Sequence, residues 1–476
     1  MKRLLAVLTC ALVVALLGPG CAHAPAPTAA PVATAAPAST ALVTPDASRQ
    51  RAEAAYLALD FPGCAESYRL SADASPEAAS RSELLYSAAC CASLAGSSHE
   101  GLGLLRRAVQ EGYASADTLA YDPELRPLRA LEGWDAVLAQ ARENAREATR
   151  PPPPLHVLAG VDVYGSRRVD AETVRRAFGF EVGQPFVFSQ ALTKREEAGL
   201  RRRYALAFTR VSYISYHAGA EAGRDYITVD LVDEDEAWRL KFLPEPGGHP
   251  EDPQGLVASW RAYEDRAWTL LRRGELDLAK PVCRVPHCAL GFGHAELSSL
   301  EAVFVEKVPA HVDALARVLR EDADPKNRAA AAFLLAYASE PGQAVERLAG
   351  SIRDSSSLVR NNVLRVLGAL QRNAARPLVE LPGVLDAMEL PETTDRNKAT
   401  SLLAALLEKM SPEERAARRG EIIRRAGEQL VAMTALRQPI NRDPARTVLE
   451  RLSGEKHDDA AGWREWLARA AKGASK

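Results

Sequence analysis

The chain has 476 residues, and its 60 lysines and arginines are nearly balanced by 62 aspartates and glutamates, giving a formal net charge of -2. A protein that binds nucleic acid or an anionic membrane surface needs a strong local excess of positive charge. The balance therefore argues against both kinds of partner. The length allows two to four domains.

Residues 1–20 have the three parts of a secretory signal: a positive start, an apolar stretch and small residues before a cleavage site. Lys2 and Arg3 supply the charge, and residues 4–17 form an apolar run of 14 residues, shorter than the roughly 20 that cross a bilayer. Two cleavage sites compete. Gly20 and Cys21 are typical of a lipoprotein signal, whereas residues 22–24, Ala-His-Ala, match an ordinary secretory site.

Residues 21–48 consist mostly of Ala, Pro and Thr and carry almost no charge. Such a stretch cannot bury a core and behaves as a semi-extended tether. A tether favours lipid attachment at Cys21, so we expect a periplasm-facing or outer-membrane lipoprotein of the cell envelope, with the lipid as its membrane anchor. The alternative is a cleaved secretory signal followed by a disordered lead. Gly18 weakens the lipid interpretation, because lipoprotein signals usually carry a larger aliphatic residue there.

From residue 49 to 148 the apolar residues recur at helical spacing, as in Leu84 with Ala88 and Leu104 with Ala108. Gly96 stands between these two stretches, where a helix pair needs a turn. The pattern resembles a tetratricopeptide module. The resemblance implies a concave helical surface that holds another protein. The alternative is a helical spacer that binds nothing.

Four prolines at residues 151–154 separate this region from a second pattern, over residues 155–243. Alternating segments and helical segments follow in the order strand, helix, helix, strand, strand, which predicts a small α+β (βααββ) domain. Gly183 between the helices and Phe208 before the second strand make it resemble a polypeptide-transport-associated domain. That resemblance implies a sheet edge that accepts a strand from a partner. The alternative is an ordinary domain used for packing.

A connecting region, residues 244–295, contains the atoms that a metal would need: Cys283, His287, Cys288 and His294. Thiolates and imidazoles are the ligands that zinc prefers. In an oxidising envelope, however, a disulfide between Cys283 and Cys288 is favoured over metal binding or buried thiols. We therefore predict no metal and no cofactor. Among Cys64, Cys90 and Cys91 one further disulfide is expected; Cys64 and Cys90 are candidates, and the sequence leaves open which of the three thiols stays unpaired.

Residues 296–472 are almost wholly helical in pattern, and acidic turns followed by an arginine recur about every 30 residues. This region resembles HEAT repeats, which form an α-solenoid. The resemblance implies a structural ladder in which turn and helix side chains tie successive repeats together. An active site is the alternative use of the same residues. The ladder candidates are Asp354, Arg360, Asn361, Asp395, Arg396 and Asn397.

These patterns predict a multidomain, mainly α protein with tetratricopeptide-like helices, one small α+β domain and a C-terminal solenoid. We expect a non-enzymatic lipoprotein that binds other envelope proteins as a scaffold or adaptor, in outer-membrane or secretion-complex assembly. The sequence has no Ser-His-Asp order, Gly-rich phosphate loop or H-E-x-x-H motif. Two alternatives remain: a metal-dependent or redox enzyme that uses residues 283–294, and a structural spacer.

Overall fold

A computed structural model of the protein describes residues 45–149, 151–217, 219–272, 274–276, 282–285 and 291–473. Helices dominate these residues, with one three-stranded sheet, so the predicted multidomain, mainly α class is confirmed. Among the described residues, each helix falls short of the length or the hydropathy that a membrane span requires. The signal, Cys21 and most of the tether lie outside the described residues.

The chain contains nineteen α-helices and three strands within the described ranges, and short 3-10 turns link several of the helices. The helices are α1 (Pro45–Ala58), α2 (Phe61–Ala74), α3 (Ala78–Leu94), α4 (Ser98–Gln110), α5 (Ala116–Tyr121), α6 (Trp134–Glu147), α7 (Ala171–Phe178), α8 (Gln190–Tyr204), α9 (Leu256–Arg272), α10 (Ala295–Lys307), α11 (Val312–Glu321), α12 (Pro325–Leu334), α13 (Pro341–Ala349), α14 (Ser357–Asn373), α15 (Leu381–Met388), α16 (Thr393–Lys409), α17 (Pro412–Thr434), α18 (Pro439–Ser453) and α19 (Ala460–Gly473). The strands are β1 (Val157–Tyr164), β2 (Leu206–Tyr216) and β3 (Arg224–Asp233).

Helices α1 to α6 form an N-terminal helical module around α3. One side of α3 presents small buried residues such as Ala88, Ala89 and Ala92, which let neighbouring helices approach closely. Leu85 and Leu105 fill the space between α3 and α4 in the same core. A disulfide between Cys64 and Cys91 joins α2 to α3. The module therefore combines a small apolar core with a covalent link.

The sheet has the strand order β1-β3-β2, with β1 parallel and β2 antiparallel to β3. Helices α7 and α8 cover one face, where Val174 and Leu200 pack against Ile227 and Val229. Ser189 begins α8 by accepting a hydrogen bond from the backbone N–H of Leu192, which is the usual way a helix N-terminus is satisfied. The chain order strand, helix, helix, strand, strand is therefore the one predicted.

Four helix pairs form the solenoid: α11 with α12, α13 with α14, α15 with α16, and α17 with α18. The second helices of the pairs stack side by side as a row (the second-helix row), which α9 extends at its start. Helix α19 packs against α17 and buries Trp463 and Trp466, whose rings meet edge to face at 6.0 Å. These two aromatic side chains cover apolar surface at the last pair.

The second face of the sheet packs against the solenoid, and every residue of β3 after Arg224 is buried. Residues 240–249 continue this contact along the turns of the solenoid. There, the N–H of Leu243 donates to the backbone oxygen of Arg353 at 2.7 Å, and the N–H of Gly248 to that of Glu321 at 2.9 Å. The sheet is thus the middle layer between two helices and a solenoid.

Candidate functional site

Buried arginines at corresponding positions of the second-helix row form a ladder of ion pairs. The Nε and Nη2 atoms of Arg328 donate to Asp354 at 2.9 and 2.8 Å. One repeat later, Arg360 donates to Asp395 at 3.0 Å and to Glu392 at 2.8 Å. Each arginine also donates to a backbone oxygen of its own turn. Because buried charges are tolerated only when paired, these rungs fix the spacing of the repeats.

In the next rung of the ladder, Arg396 pairs with an acid outside the solenoid. Arg396 donates from Nη2 to Asp230 of β3 at 2.5 Å, and both side chains are at most 1% exposed. The backbone N–H of Thr393 donates to the same carboxylate at 2.6 Å, and the ring of Tyr164 lies 3.8 Å from the guanidinium carbon. Burial raises the pKa of Asp230, and the charge of Arg396 opposes that rise. The sheet therefore supplies the acid that another repeat would carry.

A second carboxylate of the same sheet face binds the start of α18. Asp162 accepts hydrogen bonds from the backbone N–H groups of Arg437 at 2.9 Å and Gln438 at 3.0 Å. The N-terminal end of a helix carries unpaired N–H groups and a partial positive charge, which favour a carboxylate. Thr228 adds a hydrogen bond to the side chain of Gln438 at 3.0 Å. The sheet and the solenoid thus form one polar interface, in which the solenoid donates hydrogen bonds to both Asp162 and Asp230.

The predicted ladder residues divide into two groups. Asp354, Arg360, Asp395 and Arg396 form ion pairs, whereas Asn361 donates to Asn362 at 3.0 Å and Asn397 accepts from Lys398 at 3.4 Å. The two asparagines are thus outside the ion-pair ladder, since each contacts its neighbour on the same helix. Sequence reasoning missed three partners. They are Arg328, Glu392 and Asp230.

The spacing of the arginines contained the signal for Arg328. It precedes Arg360 by 32 residues (360 − 328), and Arg360 precedes Arg396 by 36 (396 − 360). For Asp230 the sequence contained no such signal, because it belongs to another domain. Its contact with Arg396 depends on how the sheet docks.

A basic stripe marks the accessible face of the second-helix row. Within residues 359–371 and 393–407, Arg365, Lys398 and Ser401 are the positions that are not buried. Burial, helped by the charge of Arg365, lowers the pKa of Lys398 to about 7. Thr394 Oγ1 and Asn397 Nδ2, next to this lysine on α16, are buried and have no hydrogen-bond partner among the described residues. The basic stripe (Arg365, Lys398 and Ser401) is therefore the partly exposed surface of these two helices, and it lies beside the buried polar atoms of Thr394 and Asn397.

The edges of the sheet are less available than the resemblance to a polypeptide-transport-associated domain implies. On β2, the N–H of Val211 donates to the carboxylate of Glu197 at 2.6 Å, and Glu197 is 8% exposed. On β1, the backbone of Leu158 exchanges hydrogen bonds with Gly183 and Gln184 at 2.8 and 3.0 Å. An added strand would have to displace these partners. Protected edges are a usual defence against unwanted strand pairing.

The disulfide of the helical module pairs Cys64 with Cys91, not with Cys90, so the candidate pair from the sequence is corrected. The Cα atoms of Cys64 and Cys91 lie 5.9 Å apart. Successive residues of a helix point about 100° apart, so Cys91 faces α2 while Cys90 is a buried free thiol near Asp122, with Sγ 3.5 Å from the carboxylate.

The proposed metal set around residue 283 is not brought together among the described residues. Cys283 is disulfide-bonded, and His287 and Cys288 lie outside the described residues. His294 begins α10, where its Nδ1 accepts from the N–H of Glu296 at 3.3 Å. A cysteine in a disulfide has no thiolate to offer a metal, and the histidine has a structural task.

A buried acidic cluster joins the helical module to α8. Glu124 accepts hydrogen bonds from the hydroxyls of Ser189, at 2.6 Å, and Tyr56, and Asp122 accepts one from Tyr86. Burial, and then the charge of Asp122, raise the pKa of Glu124. Within the described part of the chain, Cys90, Asp122 and Glu124 alone place three metal-ligating atoms within 4.8 Å of one another. These side chains make hydrogen bonds with one another, with Tyr56 and Tyr86, and with Ser189 at the start of α8.

Comparison with known proteins identifies one part of the chain. Residues 312–382 match the family model of HEAT repeats. The solenoid that contains this stretch resembles HEAT repeats and is called the HEAT domain. The match begins at the first residue of α11 and covers the Arg328–Asp354 rung, whereas Asp395 and Arg396 of the ladder lie beyond it.

Solved structures give weaker likenesses to the whole chain. An engineered protein from a structural genomics consortium is 12% identical, with a TM-score of 0.27, over 87% of this chain and 95% of that one. Yeast importin-β is 13% identical, with a TM-score of 0.28, over 89% of this chain and 50% of its own length. The sequence matches no curated protein. The identification of the HEAT domain therefore depends on the family match and the ladder.

Proposed function

We propose that the protein is a non-enzymatic scaffold of the cell envelope, held by a lipid on Cys21, that binds other envelope proteins during outer-membrane or secretion-complex assembly. The observation that carries the proposal is the helical solenoid, whose residues 312–382 match HEAT repeats, with the partly exposed basic stripe on its second helices. Stacked helical repeats leave an extended surface that suits a protein partner. Residues 45–48 of the predicted tether belong to α1, and the preceding residues 21–44 support anchoring at a distance from the membrane.

The basic stripe is a better partner site than the sheet. Both faces of β3 are buried, and the edge amide of Val211 is already paired with Glu197. Arg365 and Lys398 lie on neighbouring second helices, and the guanidinium of Arg365 is the group that stays positively charged, because the pKa of Lys398 is lowered to about 7. The partner surface that we propose is therefore acidic and engages α14 and α16.

Site-specific cross-linking tests the scaffold. A photo-reactive amino acid at Ser401 of the basic stripe should give discrete covalent adducts in the native envelope. The same group at Ala416, which is exposed on α17 of the other row, is the matched control. Adducts at Ser401 that disappear in the Lys398→Glu variant support the proposal. Equal labelling at both positions, or none at either, contradicts it.

A separate experiment tests the anchor. A radioactive fatty acid should be incorporated into the chain and lost in the Cys21→Ser variant, while the unlipidated chain still folds. Release of the unmodified chain into the soluble envelope fraction, without label, would show that the alternative secretory cleavage is used.

A further inference from the structure

One end of the sheet brings together two histidines. His156 immediately precedes β1, and His217 immediately follows β2. Their ring centroids lie 4.8 Å apart, and the rings are tilted by 54°. Because β1 and β2 flank β3, this proximity follows from the strand order and not from closeness in the sequence.

A buried carboxylate fixes the orientation of His156. Its Nδ1 lies 3.0 Å from Oδ1 of Asp225 and 2.8 Å from Oγ of Ser215. The hydroxyls of Ser215 and Tyr213 donate to the same carboxylate at 2.7 and 2.9 Å. An ionised carboxylate only accepts hydrogen bonds, so Nδ1 of His156 carries the proton. The other ring nitrogen, Nε2, therefore has a lone pair available.

This arrangement brings together Ser, His and Asp, but it is not that of a hydrolase. In a catalytic triad the serine and the aspartate bind opposite nitrogens of the imidazole. Here both Ser215 and Asp225 contact Nδ1. A carboxylate behind Nδ1, with the opposite nitrogen left open, is instead the support that metal-binding histidines usually have. Asp225 is 1% exposed and the His156 side chain 20% exposed, so the support is buried and the ring is accessible.

His217 is exposed and close enough to share a ligand. A zinc–nitrogen bond of about 2.0 Å places two imidazole centroids about 5 Å apart in tetrahedral geometry. The observed 4.8 Å agrees with that separation.

We propose that His156 and His217 bind a late first-row divalent cation of the zinc type, with Asp225 as a positioning residue. The other coordination positions are open to water. The inference goes beyond the scaffold proposal and is independent of it, because the basic stripe plays no part in the metal site. Neutral imidazole is a suitable ligand for Zn²⁺, Cu²⁺ and Ni²⁺.

Zinc titration of the full chain by isothermal calorimetry, after treatment with a chelator and without reductant, tests the site. The unmodified chain should bind one zinc ion. The His217→Ala variant should bind zinc with an affinity at least tenfold lower. The matched control is His249→Ala, which removes another exposed histidine and should leave binding unchanged. His156→Gln should act like His217→Ala. Asp225→Asn, checked for folding by circular dichroism, should weaken binding about 10–100-fold.

X-ray absorption of the zinc-loaded chain gives a second measurement. It should show two imidazole ligands with zinc–nitrogen distances of about 2.0 Å. No zinc uptake by the unmodified chain would overturn the proposal. So would uptake that survives in both His156→Gln and His217→Ala, or a spectrum dominated by sulfur. Because His217 is exposed, its variant keeps the test decisive if Asp225→Asn fails to fold.

Discussion

Replacing Asp230 with asparagine should destabilise the interface between the sheet and the HEAT domain, so that it unfolds at a much lower denaturant concentration than in the unmodified chain. The substitution keeps the shape of the side chain but leaves the Arg396 guanidinium, 1% exposed, without its carboxylate. Removing one partner of a buried ion pair typically destabilises a protein by about 3–5 kcal/mol. Arg396 keeps two neutral acceptors, the backbone oxygen of Pro391 and the hydroxyl of Thr393. The lower end, about 3 kcal/mol, is therefore expected.

Urea unfolding, followed by tryptophan fluorescence, measures this effect. With an m value of about 3 kcal/mol/M, a loss of about 3 kcal/mol lowers the midpoint by about 1 M. The control is Asp235→Asn, which removes an ion pair with Arg167 and Arg168 in the same domain, where all three side chains are at least 44% exposed. That change should be worth at most about 1 kcal/mol.

Two further results bear on the same reasoning. Hydrogen exchange in Asp230→Asn should accelerate in β3 and at the start of α16, and in few other places. The double variant Asp230→Leu with Arg396→Met should recover most of the lost stability, because it leaves no unpaired charge. If Asp230→Asn shifts the midpoint no more than Asp235→Asn does, the shared rung does not hold the two domains together.

Three other predictions concern single features. Cys91→Ser should destabilise the helical module by about 3–4 kcal/mol, seen as a lower thermal midpoint, because the lost disulfide spans 27 residues. The raised pKa of Glu124 means that its charge opposes folding above the ordinary carboxyl pKa, so stability should rise as pH falls through the raised value. Urea midpoints at pH 8 and 5.5 should show this rise, and Glu124→Gln should flatten it. The pKa of Lys398 is lowered to about 7, so the charged ammonium opposes folding and stability should increase from pH 7 toward pH 10. The Lys398→Met variant should raise the urea midpoint most at pH 6 and should abolish this dependence on pH.

The sequence predicted elements and repeats well because their signals are local. Periodic apolar residues identified the helices, and the acidic turns followed by arginines identified the HEAT repeats. Ser189, which caps the N-terminus of α8, is a signal of the same local kind. These features depend on residues within a few turns of one another, which a single sequence displays directly.

Contacts between domains were out of reach for the opposite reason. Asp162 and Asp230 look like ordinary polar positions in half-solvated strands, yet each is bound by the HEAT domain more than 160 residues away. The pairing of Cys64 with Cys91 instead of Cys90 depended on the rotation of α3 about its axis. His156 and His217 meet only once the strand order is known. Periodicity reports which face of an element is buried, but it does not report what covers that face.

The shared Arg396–Asp230 rung limits how this protein can be divided. Repeat arrays are usually treated as transferable parts that can be shortened, extended or moved to another protein. In a fragment that begins after the sheet, the buried side chain of Arg396 would lose Asp230 and face solvent or an unrelated neighbour. The N-terminus of α18 would also lack the carboxylate of Asp162. Residues 155–473 are therefore the smallest piece to express, to crystallise or to graft, because α19 covers the apolar end of the last helix pair. Lineages that alter either aspartate should alter the HEAT side of the interface with it.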